Sequence, residues 1–531
     1  MELVQLIEAL ADPAAYPFPV DRVEVHQTHI SVVFLAGRFA YKVKKPVDLG
    51  FLDFTSLDRR RHFCEEEVRL NRRLAPSVYL GVVPVARTST GLALEGPGEA
   101  VEWAVKMERL PAEATLGARL GSGDVGPAQM AELARRLASF HRQAEAGEHI
   151  ASFGRFDVVA RNARENFTQA AAQVGVTVGA GVLDRLRALT ERSLARLRPL
   201  IESRAGRGVP RDTHGDLHLD HVYLFPDRPP PADLVIIDCI EFNERFRFAD
   251  PVADMAFLVM DLLFHGRGDL AGAFAEAYFQ AARDAEGTAL LPFYTAYRAA
   301  VRGKVEGLEA AEAEVPEVER ADARARARAH WLLALGELEE PGQRPCLVLV
   351  GGLPGTGKST LARGLAGQAG FQVIRSDLVR KELAGLAATD PARFPFGEGI
   401  YTREWTDRTY AECLRWAERL LGEGQRVLVD ASFAEEVRRR LFLDLGARLA
   451  VPAVLLVCRA EADVVRRRLG ARQGDASDAD WSIYQRVAER WEELGPATRL
   501  AHREIPTGGT PEEALAHAID VLRELSPSNR T

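Results

Sequence analysis

A chain of 531 residues is too long for one hydrophobic core, so two or three domains are expected. Its 47% hydrophobic and 27% charged residues exclude a disordered or fibrous protein. A net charge of −8 removes any general attraction to nucleic acid or anionic membrane, which leaves small molecules as the expected partners.

In chain order, β-like runs come first, at 23–33, 39–43 and 101–107, with a helical pattern at 65–74 between them. After about Pro127 the pattern becomes mostly helical. Residues 1–335 therefore read as a small β-rich lobe followed by a larger α-rich one. The Ala/Arg stretch 321–329 scatters Arg324, Arg326 and Arg328 around a helix axis, as on a solvated helix.

Within this half, the stretch Thr213-His214-Gly215-Asp216-Leu217-His218-Leu219-Asp220-His221 precedes an apolar run at 222–225. A Pro-rich turn at 226–231 and a second apolar run, 234–237, ending in Asp238 then follow. Two strands and a turn predict a hairpin. If Phe225 pairs with Leu234, His221 falls opposite Asp238, with Asp216 on the loop just before them. Phosphoryl transfer needs one carboxylate to accept the acceptor's hydroxyl proton and another group to hold a divalent ion on the phosphate. Asp216 suits the first role and Asp238 the second.

The His-Gly-Asp pattern with a later Ile-Asp resembles the aminoglycoside phosphotransferases, which share the protein-kinase-like fold, over most of residues 25–305. The resemblance implies that Lys42 holds the α- and β-phosphates, with Lys44 and Lys45 as close rivals, and that Glu67 is the carboxylate partner of that lysine. It makes 105–110 the hinge that reads adenine, with Met107 and Arg109 as nucleotide-binding residues. His214 and Asp254 take structural places. Two features depart from the family. No glycine lies between Asp21 and Gly37, so Gln27, Thr28, His29 and Ile30 must cover the phosphates. His221 stands where the family has a metal-binding asparagine; it either ligates a second ion, with a preference for Mn²⁺ over Mg²⁺, or hydrogen-bonds Asp238 and orients it.

The polar, turn-rich segment 336–345 predicts a linker. Beyond it, an apolar strand at 346–350 leads into Gly352-Leu353-Pro354-Gly355-Thr356-Gly357-Lys358-Ser359-Thr360, which satisfies G-x-x-x-x-G-K-[ST] with a helix following. The glycines let backbone N–H groups turn toward phosphate oxygens, Lys358 adds a charge for the β- and γ-phosphates, and Ser359 offers its hydroxyl to Mg²⁺. Strand-like runs at 371–374, 426–430 and 454–458 alternate with helical stretches such as 410–421, the pattern of a parallel sheet. Two of these strands lead into acids, Asp377 and Asp430, and Asp430 suits a water-mediated contact with Mg²⁺. Asp377 resembles the acceptor-activating aspartate of small P-loop kinases of the polynucleotide-kinase, gluconate-kinase and zeta-toxin type. By the same resemblance Arg380 binds an acceptor anion, while Arg468 and Arg472 close over the phosphates.

The expectation is an α+β bilobal protein-kinase-like domain at 1–335, a linker at 336–345 and an α/β P-loop domain with a parallel sheet at 346–531. The whole resembles a branch of bacterial two-module proteins. Both modules are expected to use ATP and Mg²⁺ on small hydroxylated acceptors. In one alternative the first module only binds ATP, as a switch or scaffold. In another the P-loop module is a nucleic-acid end kinase, which the net charge disfavours. Five widely spaced cysteines without C-x-x-C suggest no disulfide framework, and no apolar run reaches the roughly 18 residues of a membrane helix, so a cytoplasmic protein is expected.

Overall fold

The computed structural model of the chain describes residues 2–50, 52–89, 91–387, 398–471 and 480–524. Two compact units are distinguished. The first comprises Met1–Val159, Leu197–Asp261 and Asp269–Leu291; the second comprises Ala160–Arg196, Leu262–Gly268 and Pro292–Thr531.

The first unit is built on a six-stranded antiparallel sheet: β1 (Val23–Gln27), β2 (Ser31–Ala36), β3 (Phe39–Lys44), β4 (Tyr79–Thr88), β5 (Gly91–Leu94) and β6 (Glu99–Glu108), in the order β1-β2-β3-β6-β4-β5. The run expected as one strand at 23–33 is a hairpin instead. Thr28 breaks it, because its hydroxyl accepts from the Ser31 N–H at 3.0 Å and forms a local turn. Alternation along β3 sorts its side chains between two faces. Phe39, Tyr41 and Val43 join an apolar core on one face, which leaves Ala40, Lys42 and Lys44 on the other. That second face is covered by the helix Leu57–Asn71, capped by Ser56, whose side chain accepts from the Arg59 N–H. The buried residues of this helix, Arg60, Cys64, Glu67, Val68, Leu70 and Asn71, recur at three- and four-residue steps. That stripe selects Glu67 over its neighbours and aims a carboxylate at the lysines.

Two short antiparallel pairs complete the unit's strands. β7 (Arg211–Asp212) pairs with β10 (Phe248–Ala249), and β8 (Val222–Leu224) with β9 (Leu234–Ile236). The β8–β9 hairpin forms as expected but one residue out of the expected register: Leu224, not Phe225, lies opposite Leu234. The Phe225 N–H donates to the Asp233 carbonyl at 2.7 Å, which closes the loop earlier. His221 therefore faces Ile237, whose N–H its carbonyl accepts at 3.0 Å.

The second unit carries a five-stranded, all-parallel sheet of β11 (Leu347–Gly351), β12 (Gln372–Arg375), β13 (Val427–Asp430), β14 (Ala453–Arg459) and β15 (His502–Pro506), ordered β12-β13-β11-β14-β15. Apart from Asp430 at the end of β13, the three central strands are apolar throughout their buried stretches, as a sheet covered on both faces requires. Strand β15 has no apolar signature in the sequence: His502, Arg503 and Glu504 hide it, and an edge strand tolerates such residues. The segment 336–345 lies inside this unit and is no free linker. The helix Glu317–Leu338 runs into it, Glu339 is buried, and Arg185 binds Glu339, the Gln343 carbonyl and the Gly424 carbonyl. No helix among the described residues is long and apolar enough to cross a membrane.

Candidate active sites

In the first unit Lys42 Nζ lies 2.9 Å from Glu67 Oε1 and donates to Asp238 Oδ1 at 2.8 Å. Lys44, the rival, points the same way, with its Nζ 2.7 Å from Glu67 Oε2. The two lysines share Glu67 and differ in their other acid, which is Asp238 for Lys42 and Glu241 for Lys44. Three carboxylates around two ammonium groups leave one negative charge in excess, and burial, opposed by Lys44, pushes the Glu241 carboxyl up. Burial acts in the same direction on Asp238, but Lys42 outweighs it and holds that carboxyl well below the ordinary aspartate range. Lys44 is buried and Lys42 partly so, yet the surrounding acids keep their ammonium groups charged far above neutral pH.

Lys44→Met should destabilise the protein by about 3–5 kcal/mol, the cost of leaving a buried charge unpaired. Adding Glu241→Gln should recover much of that loss. Equilibrium urea unfolding of the two variants measures both, and a Lys44→Met protein as stable as the parent would sink the argument.

The loop bearing Asp216 is fixed through its backbone. Gly215 sits at φ 88°, and a Cβ there would come within 2.9 Å of the Phe246 carbonyl. The fully buried Asp254 accepts from the His214 N–H at 3.1 Å and the Gly215 N–H at 2.8 Å, with His141 Nε2 3.0 Å from the same carboxylate. His214 Nε2 donates to the Ile237 carbonyl at 2.8 Å. Asp216 Oδ2 then lies 3.6 Å from His218 Nε2 and 3.7 Å from His221 Nδ1. Asp216, His218 and His221 form a group able to hold a metal ion. His218, which the motif contains without any assigned role, thus joins the site.

Although His221 does not face Asp238 in the ladder, their side chains still meet: His221 Nε2 is 3.8 Å from Asp238 Oδ2. The reason is the backbone of Asp238, which takes φ 60°, a left-handed conformation that costs a non-glycine residue and recurs at functional positions. The Asp238 N–H donates to the Tyr79 hydroxyl at 3.2 Å, which holds the turn. Burial, with neighbouring His218, pushes the His221 imidazole down to about 4, so it is neutral at pH 7.

The hinge expectation needs one correction. Met107 lies within β6 opposite Ala40 and Tyr79. The Arg109 N–H already donates to the Arg38 carbonyl at 2.8 Å, and its guanidinium pairs with Glu24 at 3.2 Å. That amide is not available to an adenine edge, because the chain continues its sheet pairing one residue beyond β6.

In the second unit β11 runs into the glycine-rich loop, and the helix Lys358–Ala369 follows. Gly352 takes φ 134°, and a Cβ there would lie 2.7 Å from the Cys458 carbonyl, so the loop's entry requires glycine. Lys358 Nζ donates to the Leu353 carbonyl at 2.9 Å. A cavity of about 470 Å³ opens over the loop, lined by Pro354, Gly355, Gly357, Lys358, Ser359, Thr360, Asp377, Arg380, Asp430 and Arg468 among others. Gly352, Leu353 and Thr356 belong to the loop's frame rather than to that lining. Asp377 opens the helix after β12, and Asp430 ends β13, so both sit at the carboxyl edge of the sheet where such folds bind ligands.

Arg380 donates through Nη1 to the Ile400 carbonyl at 2.7 Å and the Thr406 hydroxyl at 3.1 Å, contacts that aim it at the cavity. Arg468 donates to the Thr507 carbonyl at 2.8 Å, and the Thr507 hydroxyl donates to the Thr356 carbonyl at 2.6 Å, tying that arginine to the loop. Arg472 lies outside the described residues. Tyr410, Ser432, Thr507 and Thr510 also line the cavity, and no motif signals them.

Burial first, then nearby Asp430, pushes the Asp377 carboxyl above its ordinary value. Its folded-state pKa exceeds the unfolded one, so the folded chain holds the extra proton, and stability falls as pH rises through that window. Without metal or nucleotide, Asp377→Asn should therefore raise the thermal midpoint at pH 7 relative to the parent, with the gain shrinking toward pH 4. A variant less stable than the parent at pH 7 would contradict the crowding of the two acids.

Comparison with known proteins finds two family matches along the chain. The chain matches the profile of the phosphotransferase enzyme family over residues 51–294 and that of an AAA domain over 347–494. It is 34% identical over 503 residues to uncharacterized proteins of Mycobacterium tuberculosis and Mycobacterium bovis, covering 94% of this chain and 95% of theirs. Among solved structures, a sugar kinase from Janibacter sp. overlaps 35% of this chain and 99% of its own, at 20% identity and a TM-score of 0.27. A gluconokinase from Sinorhizobium meliloti overlaps 35% and 95%, at 18% identity and a TM-score of 0.26.

Proposed function

Because the chain belongs to the family of two-module proteins that pair a phosphotransferase-family domain with a P-loop kinase-like domain, we propose that it is an ATP-dependent kinase with two sites. Each site transfers a γ-phosphoryl group to the hydroxyl of a small acceptor. The observation that carries this reading is the cavity of the second unit, where Lys358, Ser359, Asp377, Arg380, Asp430 and Arg468 converge on one space large enough for nucleotide phosphates and an acceptor.

In that cavity the loop amides and Lys358 bind the β- and γ-phosphates, and Arg468 compensates charge on the transferring group. Asp377 takes the acceptor's hydroxyl proton, and its raised pKa brings it closer to the working pH of a general base. Arg380 orients an acidic group of the acceptor. Ser359 and Asp430 would hold a divalent ion, the oxygen donors that Mg²⁺ prefers, and such an ion when bound would neutralise charge on the phosphates. In the first unit Lys42, positioned by Glu67, binds the phosphates, and Asp216 accepts the proton. Asp238 and His221 would hold the ion there; a carboxylate oxygen and an imidazole nitrogen that face each other suit a cation between them.

A second reading rests on the β1–β2 turn, which has no glycine and is closed by Thr28 on Ser31. A cover of that kind favours a first unit that holds ATP without transferring phosphate. Screening small hydroxylated metabolites for acceptor-dependent ADP release separates the readings. The full chain is assayed with Lys358→Ala, which leaves only the first site, and with Asp216→Asn, which leaves only the second. Release in both variants supports two kinases. Release in the Asp216→Asn protein alone supports the binding-only first unit, and nucleotide binding with no acceptor found for either variant would count against the proposal.

A further inference from the structure

The side chains around Asp238 present an unusual donor set. The Asp216 carbonyl can only accept a hydrogen bond, so the 2.8 Å contact with His221 Nδ1 fixes the proton on that nitrogen. His221 Nε2 is then left with its lone pair, and it faces the Asp238 Oδ2 at 3.8 Å. Two acceptors without a proton between them repel one another, and a cation bound to both removes the repulsion. At 3.8 Å these two atoms share no hydrogen bond.

We propose that His221 Nε2 and Asp238 Oδ2 form a mixed nitrogen–oxygen metal site, so that the first unit binds Mn²⁺ more tightly than Mg²⁺. Mg²⁺ demands oxygen ligands in a near-ideal octahedron and sheds water reluctantly, whereas an imidazole nitrogen favours ions further along the first transition row. For metal–ligand bonds of about 2.1 Å, neighbouring donors sit roughly 3 Å apart, so the observed pair must close by less than an ångström. His218 lies beside this pair, its ring centroid 3.7 Å from that of His221. Its Nε2 lies 3.6 Å from Asp216 Oδ2, and Asp216, His218 and His221 make up the group with metal-ligand spacing, which does not include Asp238. The second unit differs, because no histidine lines its cavity among the described residues. Any imidazole bound to an ion held with nucleotide thus reports on the first unit.

This inference rests on the proposed kinase chemistry of the first unit, but its test does not depend on turnover. Mn²⁺ is added to the full chain with β,γ-methylene-ATP, and electron spin-echo envelope modulation is recorded. Coupling to an imidazole ¹⁴N is expected, and it should convert to the ¹⁵N pattern when the protein is grown on ¹⁵N-histidine, a control that needs no mutation. His221→Asn should abolish the coupling and reduce the Mn²⁺ over Mg²⁺ preference in competition binding by tenfold or more, while His218→Asn keeps the coupling. Bound Mn²⁺ without nitrogen coupling, or coupling that survives His221→Asn and vanishes in His218→Asn, overturns the assignment. Either result leaves the kinase reading intact, because acceptor-dependent ADP release is scored separately.

Discussion

Replacing Lys358 with alanine is expected to reduce nucleotide stoichiometry from two per chain to one at concentrations that saturate the parent, and to remove phosphoryl transfer by the second site. Charge-assisted hydrogen bonds contribute roughly 1.5–3 kcal/mol each, and this ammonium is placed to reach both the β- and γ-phosphates. Losing two such bonds weakens binding and transfer by roughly 10²–10⁴-fold. In the free protein Lys358 donates to the Leu353 carbonyl, an acceptor on the loop it must serve. The loop's frame depends on its glycines instead, so alanine leaves that frame in place. Calorimetric titration with an ATP analogue, alongside a melting curve showing an unchanged fold, checks the prediction. Two tight sites remaining in the variant would mean that the loop amides alone carry the phosphate.

The second large effect concerns Asp216. Asp216→Asn should lower transfer by the first site by roughly 10²–10⁴-fold while nucleotide affinity stays within about a factor of ten, because a proton acceptor acts only along the reaction path. The asparagine is nearly isosteric, and Asp254 anchors the loop through the backbone N–H groups of His214 and Gly215. Single-turnover transfer and analogue binding, measured on one preparation in the Lys358→Ala background, read the two quantities separately. Unchanged transfer would remove Asp216 from the chemistry.

The two sites differ in how openly the sequence displays them. The P-loop is written in consecutive residues, and its backbone geometry follows from glycines that no other residue can replace, so its site can be read almost whole. Asp377 and Asp430 are legible because parallel strands end at one edge of a sheet. In the first unit, alternation in β3 and a helical stripe point to Lys42 and Glu67. Neither pattern can reveal that Lys44 and Glu241 extend the charge network, since the two lie 197 residues apart in the chain. The hairpin register escapes by one residue because a single carbonyl, that of Asp233, decides where the loop closes. Strand β15 and Thr507 escape because edge position permits polar residues that erase the apolar signal. The Arg109 expectation fails for a similar reason: only the sheet's final hydrogen bonds show which amides are free.

The ion pair between Lys42 and Asp238 carries a thermodynamic consequence. In the free protein these two groups neutralise each other at 2.8 Å, although one is destined for phosphate and the other for a cation. A nucleotide arriving alone would draw Lys42 away from the half-buried Asp238 carboxylate, and a metal arriving alone would leave Lys42 with Glu67 as its only acid. Each ligand therefore lowers the cost of admitting the other, and reciprocity requires the two enhancements to be equal. The resting contact acts as an interlock that admits the metal–nucleotide complex in preference to either component.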